Sequence, residues 1–233
     1  MYENANLKTS LPSYSLIQST LQSIKEEGYD SIIAIPLTSG ISSTASNIYA
    51  VASELDIPIS IIDTYTTCQI QNHVVKEVKE MVDLNYSREE IVELVNNQIK
   101  NSNSFILAKD IMHLKKGGRI TPAAAAFANM MKIYPLLTMN YQTEGKIDVF
   151  DKVRTEKKAK QTLIKEAIKD IHGDYTVYVI HGDDEESAEI LKEDLIIEGI
   201  PKEKIQIADF SSVISIHVGM KCLAIQIIEN LKI

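Results

Sequence analysis

Short apolar runs alternate along this chain with longer segments in which apolar residues recur every three or four positions. Ile32-Ile33-Ala34-Ile35-Pro36-Leu37 is the first such run and predicts a buried strand. It breaks into the hydroxyl-rich turn Thr38-Ser39-Gly40-Ile41-Ser42-Ser43-Thr44, and a helix follows with Ala45, Ile48, Ala52 and Leu55 on one face. Upstream, residues 1–8 are polar. Thr9-Ser10-Leu11-Pro12-Ser13 predicts a helix start with Pro12 in the first turn, Leu16, Ile17, Leu21 and Ile24 buried, and Gly28 as the stop. Residues 57–63 predict a second strand, ending in the polar turn 64–67. Residues 69–81 predict a helix. A further helix starts at the capping box Ser87-Arg88-Glu89-Glu90, with Ile91, Leu94, Val95 and Ile99 facing inward. Helices alternating with strands in this way predict a parallel sheet with crossover helices.

The second half reads differently. Residues 105–108 predict a short strand and 110–116 a short helix ended by Gly117-Gly118. Thr121-Pro122 caps a small-residue helix over 123–131, and its run of four alanines fits either tight helix packing or room for a ligand against the backbone. Residues 134–139 and 146–153 predict antiparallel strands joined across 141–145. A helix over 155–171, a strand over 175–181, a helix over 185–199 and a strand over 205–208 follow. Alternation over 211–218 predicts another strand ending at His217-Val218-Gly219, and Leu223, Ile227 and Ile228 predict a last helix over 221–231. The expected fold is α/β in two domains: a parallel-sheet N-terminal domain over 1–103 and a mixed α/β C-terminal domain over 104–233.

Composition narrows the function. The chain has 233 residues, 45% of them hydrophobic, enough for a sizeable core. No apolar run approaches the roughly 20 residues of a membrane span. The opening MYENANLKTS has no signal-peptide core, so a cytoplasmic location is expected. A net charge of −8 disfavours a nucleic-acid partner. The basic clusters over 115–119 and 152–160 are the exceptions, and the second reads as a solvated helix face. Cys68 and Cys222 are too few for a disulfide framework or a zinc site and read as small buried hydrophobes. No His/Asp/Glu set has metal-ligand spacing, and there is neither a P-loop nor a G-x-G-x-x-G, so no cofactor or metal is expected.

What remains is a set of polar groups at the ends of elements: Thr9-Ser10, Ser39 with Ser42, Gly118-Arg119, and His217. In α/β sheets ligands sit beyond the carboxyl ends of strands. Hydroxyls, one guanidinium and one imidazole gathered there suit a carboxylate or phosphate. Each group also has a plainer reading: a helix cap for the Ser/Thr turn, a helix stop for the diglycine, a structural histidine at a strand end.

Lys8-Thr9-Ser10-Leu11-Pro12-Ser13, Thr38-Ser39-Gly40-Ile41-Ser42-Ser43-Thr44, Leu114-Lys115-Lys116-Gly117-Gly118-Arg119-Ile120 and Ile216-His217-Val218-Gly219 resemble, in order, the motifs of the DegV family of bacterial fatty-acid-binding proteins. Tyr134-Pro135-Leu136-Leu137, Gly145-Lys146-Ile147 and Val153-Arg154-Thr155 fit the same pattern. The resemblance implies two α/β domains enclosing a long-chain fatty acid, its carboxylate held by Thr9 and Ser42 with Ser39 beside them. It places Arg119 and His217 at the headgroup end. It further implies a carrier that presents the acid to a separate ATP-using fatty acid kinase for acyl-phosphate formation, with Arg119, His217 and Arg154 docking the kinase or the phosphate. On that reading alanines 123–126, Met130 and Met131 are candidates for the tunnel wall.

The chain departs from the family pattern in three places. The family's opening strand and Asp-Ser-rich loop are missing, which is expected to leave the first sheet one strand short. Ser43 stands where the family has glycine. Met220-Lys221 replaces a small Pro/Gly-rich step and is expected to bring a cation near the headgroup. Two other readings stand beside the carrier: a hydrolase or acyl transferase using Ser42 and His217, for which no G-x-S-x-G elbow or orienting acid is identifiable, and a shortened paralogue that folds without binding lipid.

Overall fold

The computed structural model describes residues 7–127 and 133–233 and is a mixed α/β structure with two sheets. The smaller sheet pairs β1 (Ile32–Ala34) with β2 (Ile59–Ile61) in parallel, and α1 (Tyr14–Glu26) and α2 (Thr44–Glu54) pack on it. Its core is small: Ile17, Leu21, Val51, Ala52 and Ile57. Ser13 caps α1, its Oγ accepting from the Leu16 N–H at 3.2 Å, so Pro12 precedes the cap and does not lie in the first turn. Thr9 and Ser10 are thereby left in the irregular chain ahead of the helix.

The larger sheet has six strands in the order β5-β4-β3-β8-β6-β7. They are β3 (Asn103–Leu107), β4 (Tyr134–Asn140), β5 (Asp148–Val153), β6 (Tyr175–His181), β7 (Ile205–Asp209) and β8 (Leu223–Glu229). Only β6 and β7 run parallel. One face is covered by α7 (Glu156–Lys169) and α8 (Glu185–Ile197). The other carries α3 (Cys68–Asp83), α4 (Arg88–Ile99), α5 (Ile111–Gly117), the short α6 (Pro122–Ala126) and α9 (Ser212–Val218). Thus α3 and α4, which precede residue 103, cover a sheet whose strands come after it. A division at 103/104 runs through this packing.

Two expected elements are the reverse of what forms. Residues 211–218 are the helix α9 and not a strand. Ile214 and Val218 are buried four apart, and the Ser211 carbonyl accepts the Ile214 and Ser215 N–H groups. Over seven residues, alternation and helical spacing select nearly the same positions. Residues 221–231 hold the strand β8 and not a helix. It lies between β3 and β6, buried on both faces, so Leu-Ala-Ile-Gln-Ile-Ile has no polar face to reveal a period of two. The helix expected over 123–131 is described only for Pro122–Ala126; Met130 and Met131 lie outside the described residues.

The two sheets meet at a pair of glycines. A Cβ at Gly40, in the turn after β1, would overlap the backbone of Gly145 and lie 2.5 Å from the Glu144 carbonyl oxygen in the β4–β5 loop. Gly145 itself has φ +69°, and a Cβ there would lie 3.1 Å from the Cβ of the fully buried Thr38. Beside them Tyr65, after β2, stands edge-on to Tyr141 of the hairpin loop at 4.9 Å between ring centres.

Gly40→Ala therefore has no room that a side-chain movement can open, and it is expected to cost about 3 kcal/mol in urea unfolding. Gly28→Ala is the control: Gly28 has φ +89° and nothing within 4 Å, leaving only a backbone cost of about 1 kcal/mol. Equal losses for the two variants would refute the tight backbone contact.

Candidate functional site: a cavity with a hydroxyl-lined mouth

A cavity of about 580 Å³ lies between the turn after β1 and the α3/α5/α9 face of the large sheet. Its volume is within the range of small-molecule sites. The floor is the sheet itself, where Ile106 and Ala224 face each other across β3 and β8, with Met139 of β4 in the next row, opposite Ser104. Phe210, Ile214 and Val218 close one side, and Leu37 and Ile41 another.

The polar groups come from four segments far apart in sequence. Thr9 and Ser10 arrive on the irregular chain before α1, Ser39 and Ser42 on the turn after β1, Arg119 from the turn after α5, and His217 from the last turn of α9. The Thr9 hydroxyl and His217 Nε2 lie 2.8 Å apart, bridging the first and last of these segments. The Asp63 carboxylate at the end of β2 accepts the Ser39 N–H at 2.9 Å and the Tyr65 N–H at 2.8 Å, which orders the turn. Ser42 Oγ lies 2.8 Å from Thr44 Oγ1 and accepts the Thr44 N–H at 3.2 Å. Ser43, the N-cap residue of α2, has φ −89°, so its Cβ fits the turn without strain.

His217 sits at a helix end and not, as expected, at a strand end. Gly117 makes room for it, since a Cβ there would come within 3.0 Å of His217 Nδ1. Behind it, His113 Nε2 donates to the Ile216 carbonyl at 2.6 Å, tying α5 to α9. Burial, then the Arg119 guanidinium, then His113, hold the His217 pKa below its ordinary value. Arg119 folds back to donate to the Gly117 carbonyl. The mouth thus presents hydroxyls, one guanidinium and an imidazole whose protonation is disfavoured.

Arg154 is exposed, between β5 and α7, and does not line this cavity. Lys221 is exposed, with its N–H bonded to the Gly182 carbonyl at 2.7 Å, and it too is absent from the lining, contrary to the expected cation at the headgroup. Cys68 lines the cavity, with burial pushing its thiol up to about 12. Cys222 is fully buried, and its thiol is also shifted upward by burial.

Three contributors were not found from sequence: Asp63, His113 and Gln226. Gln226 Oε1 accepts the Gln69 and Ile70 N–H groups at 3.0 and 3.2 Å, capping α3 from the sheet on which it packs. The one available signal was a lone glutamine inside an apolar run. Among the described residues no helix is long and apolar enough to cross a membrane.

Fold and cavity define a class: an α/β protein with an apolar cavity whose mouth gathers hydroxyls, a guanidinium and an imidazole. The chain belongs to the DegV family, whose model, described as "Uncharacterised protein, DegV family", matches residues 1–230. It is 38% identical over 221 residues to a DegV domain-containing protein of Streptococcus pneumoniae, covering 94% of this chain and 77% of that one. Among solved structures, a fatty acid binding DegV family protein from Streptococcus agalactiae superposes with a TM-score of 0.91 at 31% identity, covering 99% of this chain and 82% of the other. A Thermotoga maritima protein described as revealing a fatty acid binding function does so with 0.78 at 25% identity, covering 99% and 80%.

His217 is expected to titrate below pH 6.5 by NMR, with Arg119→Gln raising the midpoint. The unfolded chain takes up this proton first as pH falls, so His217 lowers stability as pH drops through the ordinary histidine range. A midpoint above 6.5 in the free protein would overturn this electrostatic account.

Proposed function

We propose that this protein binds a long-chain fatty acid in the cavity, running as a buried tunnel from the mouth, and presents the carboxylate to an ATP-dependent fatty acid kinase. Thr9, Ser39 and Ser42 hold the carboxylate, and Arg119 and His217 stand at the headgroup end. The observation that carries this reading is the convergence of the four segments on one mouth above an apolar floor. The solved relatives described as fatty-acid-binding support it. Arg154, exposed and outside the cavity, is assigned with Arg119 to docking the kinase, in the cytoplasm.

Magnitudes favour division of labour. About fourteen buried methylenes contribute up to about 11 kcal/mol at about 0.8 each, so the apolar walls supply most of the affinity. Hydrogen bonds at the mouth fix which end faces out. Among the described residues no catalytic relay competes with this: Ser42 Oγ pairs with Thr44, His217 Nε2 pairs with Thr9, and the charges that shift His217 are Arg119 and His113. No carboxylate is hydrogen-bonded to His217 among the described residues, so the acid that a hydrolase triad needs is missing.

Native mass spectrometry of the purified protein, followed by analysis of a solvent extract, is the direct test, with a retained fatty acid expected. Thr9→Ala combined with Ser42→Ala is expected to raise the fatty-acid Kd about 10- to 100-fold with the fold intact. Arg154→Ala is expected to leave that Kd unchanged. A clean apo mass with no uptake of added palmitate or oleate would favour a paralogue that no longer binds lipid.

A further inference from the structure

The cavity floor is not apolar throughout. One register row beyond Ile106 and Ala224, Met139, Ser104 and Gln226 stand side by side across β4, β3 and β8, and all three line the cavity. Both β3, which leads into α5, and β8, which follows α9, have Ile106 and Ala224 nearer in sequence to the His217 end. The Ser104 row is therefore two residues, or roughly 7 Å, farther from the mouth.

Gln226 is only 2% exposed and has no capacity left. Its Oε1 accepts two N–H groups from α3, and its Nε2 donates to the Thr67 carbonyl at 2.9 Å and to Ser104 Oγ at 2.7 Å. Thr67 and Cys68 are also in the lining. Ser104 is different. It is 2% exposed, it accepts from Gln226, and nothing among the described residues accepts its own proton. A serine hydroxyl carries one donor, and a buried donor without an acceptor is costly. Against a plain methylene chain that proton has no partner; against an oxygen on the chain it has one.

We infer that Ser104 is a specificity residue, which makes the preferred ligand an acyl chain bearing a hydrogen-bond acceptor oxygen, hydroxyl or oxo, partway along its length. This rests on the fatty-acid reading of the cavity. Apolar walls discriminate weakly between chains of similar shape, whereas a site built to hydrogen-bond a ligand oxygen rejects the analogue lacking it strongly. Gln226 holds Ser104 Oγ by its lone pair, which leaves the O–H as the group presented to the cavity.

The test is calorimetric titration of the delipidated protein with stearate, oleate and the 9-, 10- and 12-hydroxystearates. At least one hydroxystearate is expected to bind tenfold or more tightly than stearate. Ser104→Ala is expected to reduce that ratio to about one with stearate affinity unchanged or improved, and Ser104→Thr, which keeps the hydroxyl, to retain the preference. Hydroxystearates binding no tighter than stearate to the wild-type protein would overturn the inference while leaving the fatty-acid reading intact, and this comparison decides the matter even where a variant fails to fold. A preference surviving in Ser104→Ala would remove the role from Ser104. No saturable binding of any of the five acids would overturn the fatty-acid reading itself.

Discussion

Two backbones that touch with no side chain between them fix the position of the mouth. The turn after β1 carries Ser39 and Ser42, and it belongs to a two-strand unit with a core of a few residues, too little sheet to be stable alone. Gly40 against Gly145 seats that turn on the β4–β5 loop of the large sheet. Asp63 then holds the turn from the β2 side through the Ser39 N–H. Hydroxyls on a loop would otherwise be free to move relative to the floor; here they are referenced to it through main-chain contact, which no rotamer change relaxes. Thr38 completes the seat, fully buried against Gly145, so the residue before Ser39 is immobilised by the domain that supplies the floor.

Charge at the mouth is arranged economically. An imidazole beside a guanidinium, partly withdrawn from water, resists protonation, and it shares the mouth with that guanidinium and several hydroxyls. A carboxylate entering such a site meets Arg119 and neutral donors without displacing an ion pair already formed in the protein. It also changes the surroundings that keep His217 neutral, since an anion nearby favours the imidazolium. On the proposed reading, ligand occupancy and the protonation of His217 would be coupled through this local geometry. Glycine at the end of α5 suits the same geometry: a Cβ at Gly117 would crowd the His217 ring, which would have to shift to accommodate it.

Much of the fold was legible because its signals are local. The capping box at Ser87 and Glu90 forms with both reciprocal bonds, Gly28 ends α1 at positive φ, and the β4–β5 hairpin turns at Gly145. The α9–β8 pair was not legible. Seven residues cannot separate two periods, and a strand buried on both faces has lost the alternation that marks strands at a surface. The cost was large, because β8 is a central strand of the sheet and supplies Ala224 and Gln226 to the cavity floor. Thr9, Ser39, Ser42, Arg119 and His217 were singled out by motif and do meet at one cavity. Asp63 and His113 act through partners distant in sequence, so no spacing rule points to them. Serine 104 was invisible for the same reason: its meaning depends on Gln226, which is itself spoken for by the end of a helix from the other half of the chain.

That helix end shows how binding and folding are joined here. Thr67, the N-cap residue of α3, makes no side-chain cap bond, and the Gln69 and Ile70 N–H groups turn to Gln226 instead. A buried amide that caps a helix, grips the Thr67 carbonyl and holds Ser104 cannot be exchanged for an apolar residue without orphaning several groups at once. The polarity of the floor at this depth is therefore built into the packing of α3 on the sheet. It is not a surface feature that ligand selection alone could adjust. A tunnel lined only by methyl groups would bind a hydrocarbon chain as well or better. On the proposed fatty-acid reading, the structural amide and the hydroxyl beside it, whose proton is unclaimed, make this interior a reader of chain chemistry as well as chain shape.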